Sequence, residues 1–462
     1  MAGIAVIGSG TGAMAAAARL ATAGHRVTVL EANDTYGGAL RRYERDGFAF
    51  DTGPGLLHLP AVHRDLFLKT GRRGLEDCVD LRRVDPDARH VFADGTGVTL
   101  PGFSHGGVAA ALDSALGSGS GAQWQSVLGR AATTWDATRR PLLEEPLHED
   151  APVPQDPYPV RRRRGLLRRR PPTLARVAAD ELRDPRLAAL LCGSARSHGI
   201  DPARAPASAA VLAHLEQTFG TWYVRGGMRE LARALHDRCR ERGVEFRFGT
   251  RVAGVREASG AVTGVALADG EELDADAVVA PGSPRPDAPG VRSRFTVLLA
   301  LRGARPEGTP HRTLLHDAGG RLLTVLRPGD PALVPDEDHE SAVLTVSVPP
   351  GPVAAPERTA RELIARADAA GLGLGPRLLW WEAVTPADYA IHTGSPGGAV
   401  PPPALAGDGG EGLRDANLPG SPSGLFRAGG WAHPGGGLAH AGMSGALAAG
   451  LLVEGKDWRG SA

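Results

Sequence analysis

Apolar residues gather in two short runs near the start of the chain, and small residues fill the stretch between them. Ile4–Ile7 is short and apolar, as a buried parallel strand is, and Arg26–Leu30 alternates towards valine like a second strand. Between them, Met14–Ala23 is rich in alanine and is followed by Gly24, a good residue for a left-handed helix cap. The pattern predicts a strand–helix–strand unit of the kind that builds parallel sheets.

Later segments continue this pattern. Met228–Arg242 is amphipathic with a helical period, and Val244–Phe248 has the composition of a strand. Ala261–Leu267 and Glu272–Val279 flank an Asp-Gly turn and predict a hairpin. Near the other end of the chain, a strand and a glycine-rich turn precede a helix that starts near Leu438. We interpret the three stretches as parts of one domain.

The turn after the first strand has a composition that suits phosphate binding. GSGTGA satisfies the pattern G-x-G-x-x-G/A through Gly8, Gly10 and Ala13. Gly8 permits the tight turn, Gly10 lets a pyrophosphate approach the backbone, and Ala13 lets the helix pack closely on the strand. Glu31 ends the second strand, where a carboxylate accepts hydrogen bonds from a ribose diol and repels a 2′-phosphate. The segment therefore predicts a dinucleotide site that does not take NADP.

Two further glycine clusters favour FAD over NAD. Gly37-Gly38 and the FDTGP turn follow the acid, although alone they are ordinary turn sequences. Gly435-Gly436-Gly437 precedes the last helix, whose N-terminus carries about half a positive charge that would stabilise a reduced flavin ring. Together, the two ends of the chain indicate one FAD site.

These segments resemble the phytoene desaturase family of FAD-dependent oxidoreductases, within the flavin amine oxidase superfamily. The resemblance rests on GSGTGA, the E-x5-GG spacing, GFAFDTGP, DPRLAALL, the Gly220–Met228 stretch, LADGEELDADAVV and AHPGGGL. It implies an α/β fold: a Rossmann-type FAD-binding domain assembled from discontinuous segments, with an α+β substrate domain. We place the former at 1–60, 220–288 and 418–458, and the latter at 61–219 and 289–417.

The expected cofactor site follows from the same residues. The resemblance implies FAD contacts at Gly8, Gly10, Gly12, Ala13, Glu31, Gly38, Val252, Gly429, Gly430 and Gly437. The motifs extend the site to Thr11, Ala32, Gly37, Arg42, Gly53, Pro54, Gly55, Gly436 and Leu438.

The chain departs from the family in two places. Ala39 stands where the family has an arginine near the pyrophosphate, and Trp431 with the following alanine replaces a Gly-Thr pair. No catalytic residue is assigned. The candidates are His433, beside the glycine turn, Arg225 and Trp431.

Charge, cysteine content and histidine spacing limit the binding partners and the cellular compartment that we expect. Lys+Arg and Asp+Glu balance at 52 each, so no global charge points to nucleic acid. Three widely spaced cysteines fit reduced thiols in the cytoplasm, and the histidines show no metal-ligand spacing. The run from Arg161 to Arg170 is either a patch that docks on the inner face of an anionic membrane or a solvated loop.

The leading hypothesis is an FAD-dependent oxidoreductase that transfers hydride from an apolar isoprenoid or polyene substrate to flavin. Alternatives are a flavin amine oxidase, a redox-neutral isomerase or cyclase, and a non-catalytic lipid-binding escort. We interpret GSGSGAQW at 117–124 as a flexible linker, which leaves no second dinucleotide site. Oxygen or a quinone is therefore the expected electron acceptor.

Overall fold

The computed structural model describes residues 1–148, 155–159, 171–407 and 414–460. Its strands, in chain order, are β1 Gly3–Ile7, β2 Arg26–Leu30, β3 Arg42–Arg45, β4 Phe48–Asp51, β5 Leu81–Arg83, β6 Ala88–Val91, β7 Gly97–Leu100, β8 Trp222–Val224, β9 Glu245–Arg247, β10 Val252–Ala258, β11 Ala261–Leu267, β12 Glu272–Asp274, β13 Ala277–Pro281, β14 Ser293–Arg302, β15 Arg312–His316, β16 Leu322–Leu326, β17 His339–Val348, β18 Leu378–Val384 and β19 Leu425–Ala428.

The helices separate and cover these strands. They are α1 Thr11–Thr22, α2 Ala61–Thr70, α3 His105–Leu116, α4 Ser120–Arg139, α5 Leu174–Glu181, α6 Pro185–Ser197, α7 Val211–Phe219, α8 Arg229–Glu241, α9 Pro356–Ala369, α10 Pro386–Thr393 and α11 Leu438–Glu454. Short 3-10 or π-helical turns occur at Arg140–Glu144, Ala207–Ala210, Pro331–Leu333, Gly375–Arg377 and Pro396–Gly398.

A parallel sheet with the order β19-β13-β1-β2-β9 is the centre of the first unit. Its strands come from the beginning, the middle and the end of the chain, as predicted for a Rossmann-type domain built from separate segments. Side chains from α1, α8 and α11, such as Met14, Leu235 and Ala448, are almost fully buried in the core beside it. The domain boundaries themselves stay predictions.

Three local predictions need correction. The first helix begins at Thr11, three residues before the predicted start, because Gly10 already accepts the hydrogen bond from the Met14 amide. The predicted strand Glu272–Val279 is two strands, since Asp276 donates to the Gly3 carbonyl and thereby redirects the chain from β11 to β1. β10 was not predicted because most of its side chains are exposed.

A second, mixed sheet has the order β18-β14-β17-β16-β15-β6-β7. Alternate residues of β14, among them Phe295, Val297 and Leu299, pack with α9 in a buried apolar cluster. The residues between them, such as Arg294 and Thr296, therefore point to the opposite face. On this second face, Arg294 and the β17 residues Thr345 and Ser347 line a cavity.

The interpretation of 117–124 as a flexible linker was wrong. Gly117 and Gly119 form a tight turn with positive φ angles, and Ser120 then begins the long helix α4. Gly121 lies so close to the Ala109 carbonyl of α3 that a side chain would collide with it. The small residues thus allow two helices to approach, a use that composition alone does not distinguish from flexibility.

Cys78, Cys192 and Cys239 are free thiols, as predicted. Among the described helices, none has the length and apolar character needed to cross a bilayer. The run from Arg161 to Arg170 lies outside the described residues, so its membrane role stays a prediction.

Candidate active site

The amino-terminal glycine turn leaves room for a group that is not protein. Gly8 has a φ of 87°, and its amide donates to the Leu30 carbonyl at 2.8 Å, which ties the turn to the second strand. Gly10 has an ordinary φ of −68°, and a Cβ atom there would meet no protein atom within 4 Å. Because no side chain caps α1, its first amides are also available to an anion. The turn fits a pyrophosphate.

Glu31 is buried at the end of β2, with 6% of its surface exposed. One carboxylate oxygen accepts from the amide and hydroxyl of Ser9 at 2.8 and 2.6 Å, and the other accepts from the amide and side chain of Asn33 at 2.8 and 2.7 Å. These partners orient the acid towards the glycine turn. The sequence pattern identified the acid but not the residues that hold it.

The double glycine packs directly against the first turn. Gly37 donates to the Ser9 carbonyl at 3.0 Å, and a Cβ on Gly38 would lie 3.1 Å from the Cα of Gly10. Arg229 secures this loop, because its guanidinium donates to the Thr35 hydroxyl at 2.6 Å and also to the Tyr36 carbonyl. Sequence reasoning missed Arg229, although it directly follows a segment used for the resemblance.

The carboxyl-terminal glycine turn meets the amino-terminal one. A Cβ on Gly12 would lie 2.8 Å from the amide nitrogen of Gly429 and 2.6 Å from the Ala441 carbonyl oxygen. Gly429 has a φ of 105°, and its amide donates to the Ser444 hydroxyl of α11 at 3.2 Å. The two ends of the chain therefore form one continuous cradle, as the FAD hypothesis requires.

A cavity of about 600 Å³ adjoins this cradle. Its wall includes Gly53, Pro54 and Gly55 from the FDTGP turn, together with Gly437 and Leu438 at the start of α11. These residues are the ones expected near the flavin ring, and the structure brings them together around one space.

Other residues that were predicted to contact FAD also have close protein neighbours. Gly430 and Gly436 pack against Pro401, and Val252 packs beside the first strand in an apolar cluster. The Arg42 guanidinium lies 2.6 Å from the Glu44 carboxylate and donates to the Gly226 carbonyl at 3.4 Å, and its predicted contact with FAD stays a prediction.

Thr11 and Ala13 lie in the first turn of α1, and Ala32 is exposed directly after Glu31. Ala39, which replaces the arginine of the family, offers its carbonyl to a close packing contact with Gly53.

None of the three weak catalytic candidates is among the described residues that line the cavity. His433 is fully buried with Nε2 donating to the Glu145 carbonyl at 3.1 Å, and burial together with Arg414 lowers its pKa to about 3. Trp431 packs in a separate apolar cluster, and Arg225 is half exposed, 3.9 Å from two aspartates. His433, Trp431 and Arg225 thus contact protein groups outside the cavity lining.

The cavity wall carries ionisable residues that the sequence did not single out. His440 follows the glycine turn, and burial lowers its pKa to about 4. His58, His198 and Glu216 also line the cavity, and one potential ligand atom from each lies within 4.8 Å of the others. Sequence reasoning did not find this group, because the three residues are distant in sequence and meet only in the fold.

Parallel strands, a glycine turn at an uncapped helix, a buried acid and a second glycine turn from the far end of the chain define a flavin-binding oxidoreductase. Residues 14–298 match the model of the family described as flavin containing amine oxidoreductase. The match covers more than half of the chain, and the chain belongs to this family. The predicted superfamily, the flavin cofactor and the oxidoreductase class are confirmed.

Curated relatives include carotenoid enzymes. The chain is 33% identical to phytoene dehydrogenase of Streptomyces griseus over 67% of its own length and 57% of that protein. It is 32% identical to 4,4'-diapolycopene oxygenase of a Methylomonas species over 59% of its length and 54% of that protein. The chain thus spans little more than half of these relatives. The structure of an oxidoreductase from Methanosarcina mazei shares the fold, with a TM-score of 0.62 at 16% identity and 96% and 99% coverage.

Proposed function

We propose that the protein is an FAD-dependent oxidoreductase that removes hydrogen from a long polyene or isoprenoid chain. The observation that carries this proposal is the cavity of about 600 Å³, which the predicted flavin-ring contacts border on one side. The similarity to a phytoene dehydrogenase and a carotenoid oxygenase supports this substrate class.

The cavity offers apolar surface for such a chain. Leu212 and Leu215 of α7 face it, and Leu322, Leu326 and Val346 contribute from the second sheet. Burying hydrocarbon here is favourable by about 25 cal/mol for each Å² removed from water. The same surface excludes water from the reacting carbon.

The start of α11 borders the cavity on the side where the flavin ring is expected. Leu438 is its first residue, no side chain caps the helix, and both Gly437 and Leu438 line the cavity. When FAD is bound, it supplies the acceptor for hydride. The free amides at the helix start stabilise negative charge that develops beside them, and the FDTGP turn orients the substrate from the other side.

The cavity wall argues against an amine substrate. Among the described residues that line it, none is Phe, Tyr or Trp, so the aromatic cage expected of an amine oxidase is missing.

Three arginines indicate that the substrate carries an oxygenated end. Arg196, Arg292 and Arg294 line the cavity, and among the described residues no ion pair joins them to an acid, although Arg292 donates to the hydroxyl and the carbonyl of Ser347, each at 3.2 Å. A pure hydrocarbon would remove water from these guanidinium groups without replacing their hydrogen bonds, which is costly. A carboxylate or carbonyl at one end of the polyene would satisfy them.

Anaerobic titration tests the redox proposal. Purified protein with bound FAD is mixed with a polyene, and the visible flavin absorbance is followed. Bleaching supports net oxidation of the substrate. Product without bleaching indicates the isomerase or cyclase, bleaching by amines alone indicates the amine oxidase, and folded protein that takes up no FAD indicates the escort.

The oxygenated end is tested by comparing a polyene hydrocarbon with the matching carboxylic acid. Arg294→Gln should weaken binding of the acid and leave the hydrocarbon unchanged. Arg302→Gln is the matched control, because Arg302 lies at the exposed end of the same strand. Equal binding of both substrates by the wild type would refute this part.

The electron acceptor and the membrane role are further proposals. Oxygen or a quinone should restore the bleached absorbance, and the faster of the two identifies the acceptor. If the run from Arg161 to Arg170 docks on membranes, the protein should float with anionic vesicles at low salt and not at high salt. Absence of flotation at low salt removes the membrane role.

A further inference from the structure

Three metal-ligand side chains converge on the cavity from separate parts of the fold. His58 precedes α2, His198 directly follows α6, and Glu216 lies within α7. One ligand atom from each residue lies within 4.8 Å of those of the other two. All three residues line the cavity, so a group bound between them would also face the substrate space.

The imidazole of His198 has one nitrogen tied to a backbone carbonyl. Its Nδ1 donates to the Ser194 carbonyl at 2.9 Å and lies 4.0 Å from Oε1 of Glu216, which leaves the lone pair on Nε2. Nδ1 of His58 is buried without a hydrogen-bond partner. Metal-binding histidines commonly have one nitrogen anchored as His198 does.

The carboxylate is arranged in the same way. Oε2 of Glu216 accepts from the Ser194 hydroxyl at 3.4 Å, while Oε1 is buried and makes no hydrogen bond. Nη2 of Arg312 forms an ion pair with Oε1 at 3.6 Å and donates to the Ser197 hydroxyl at 3.3 Å. Nδ1 of His58 and Oε1 of Glu216 are buried and make no hydrogen bond, which is costly unless a further group uses their lone pairs.

We infer that His58, His198 and Glu216 bind one divalent transition-metal ion of the zinc or iron(II) type. Two imidazoles and one carboxylate form a donor set that suits these ions and leaves coordination positions open. Those positions face the cavity, where they can take water or an oxygen atom of a ligand. Arg312 opposes a cation by its charge and therefore limits the affinity.

This inference does not depend on polyene oxidation, and its test measures metal rather than turnover. Untagged protein with bound flavin is treated with a chelator, dialysed, and titrated with Zn²⁺, and the metal retained is measured by mass spectrometry and calorimetry. We expect one equivalent of Zn²⁺ per chain in the wild type.

Two variants locate the site. His198→Ala and Glu216→Gln should each lower Zn²⁺ affinity at least about tenfold, in keeping with the effect of losing even supporting groups around a metal. His339→Ala is the matched control, because His339 lies at the start of β17 beside Asp336 and does not line the cavity. Flavin content and melting temperature establish that each variant is folded.

Two results would overturn the inference. One is a wild type that retains no Zn²⁺ after dialysis, which would make the cluster a metal-free group of polar side chains. The other is Zn²⁺ that binds equally to wild type, Glu216→Gln and His198→Ala, which would place the ion elsewhere. A spectroscopic signature for bound Co²⁺ in wild type that His198→Ala loses would support it independently.

Discussion

Gly10→Ala should weaken FAD binding without destabilising the flavin-free protein. The backbone at Gly10 has a φ of −68° and a ψ of 172°, which alanine adopts without strain. A Cβ there would meet no protein atom within 4 Å. The protein itself therefore does not require glycine at this position, and the free space belongs to the bound pyrophosphate.

The expected magnitudes follow from these facts. The stability of the flavin-free protein should change by no more than about 0.5 kcal/mol, as for a surface substitution without a special contact. In the loaded protein, the added methyl group collides with the pyrophosphate, and overpacking of this kind costs about 1–3 kcal/mol. That loss corresponds to an increase of about fivefold to 150-fold in the Kd for FAD.

Fluorescence quenching of added FAD measures the Kd, and thermal unfolding of the flavin-free protein measures the fold. The reasoning is refuted if Gly10→Ala binds FAD as tightly as the wild type. A large loss of stability without FAD would equally refute it, because the space at Gly10 would then have a structural role.

Three other substitutions test the structure more broadly. Gly12→Ala should destabilise the flavin-free protein by about 1–3 kcal/mol in thermal unfolding, because its Cβ would lie 2.8 Å from the Gly429 nitrogen; unchanged stability would contradict the contact. Burial raises the pKa of Asp51 to about 6 from 3.8, against two backbone hydrogen bonds that lower it, so the folded state binds the proton more tightly than the unfolded state. The stability contributed by Asp51 should fall by about 3 kcal/mol as pH rises through this range, and Asp51→Asn should abolish the slope in urea titrations. Glu340→Gln should cost about 3–5 kcal/mol, because Glu340 accepts two hydrogen bonds from buried Arg327 at 2.6 and 2.8 Å; a loss below 1 kcal/mol would argue against the buried pair.

The nucleotide-binding part of the site could be predicted from the sequence because the residues that form it are close together in the chain. Strand, glycine turn and helix follow one another within thirty residues or so, and each step has a compositional signature. Gly8 requires a positive φ, and Glu31 ends a valine-rich strand, so both residues are visible in the pattern itself. The contact between Gly12 and Gly429 required the resemblance, since no local rule joins distant glycines.

The cavity residues could not be predicted from the sequence, and the reason is also physical. His58, His198 and Glu216 come from three different elements, and no periodicity marks them. Sequence reasoning selected His433 because it adjoins the glycine turn, but the fold turns its ring towards the Glu145 carbonyl. Side chains grouped by tertiary packing have no signature in a single sequence.

The union of the two glycine turns has a consequence for biosynthesis. β19 and α11 are the last elements of the described chain, and they supply one wall of the cradle next to Gly12. Until β19 and α11 have been translated, that wall is missing, so the nascent polypeptide cannot retain its coenzyme. FAD binding therefore has to follow the synthesis of α11, and products terminated before β19 should emerge colourless.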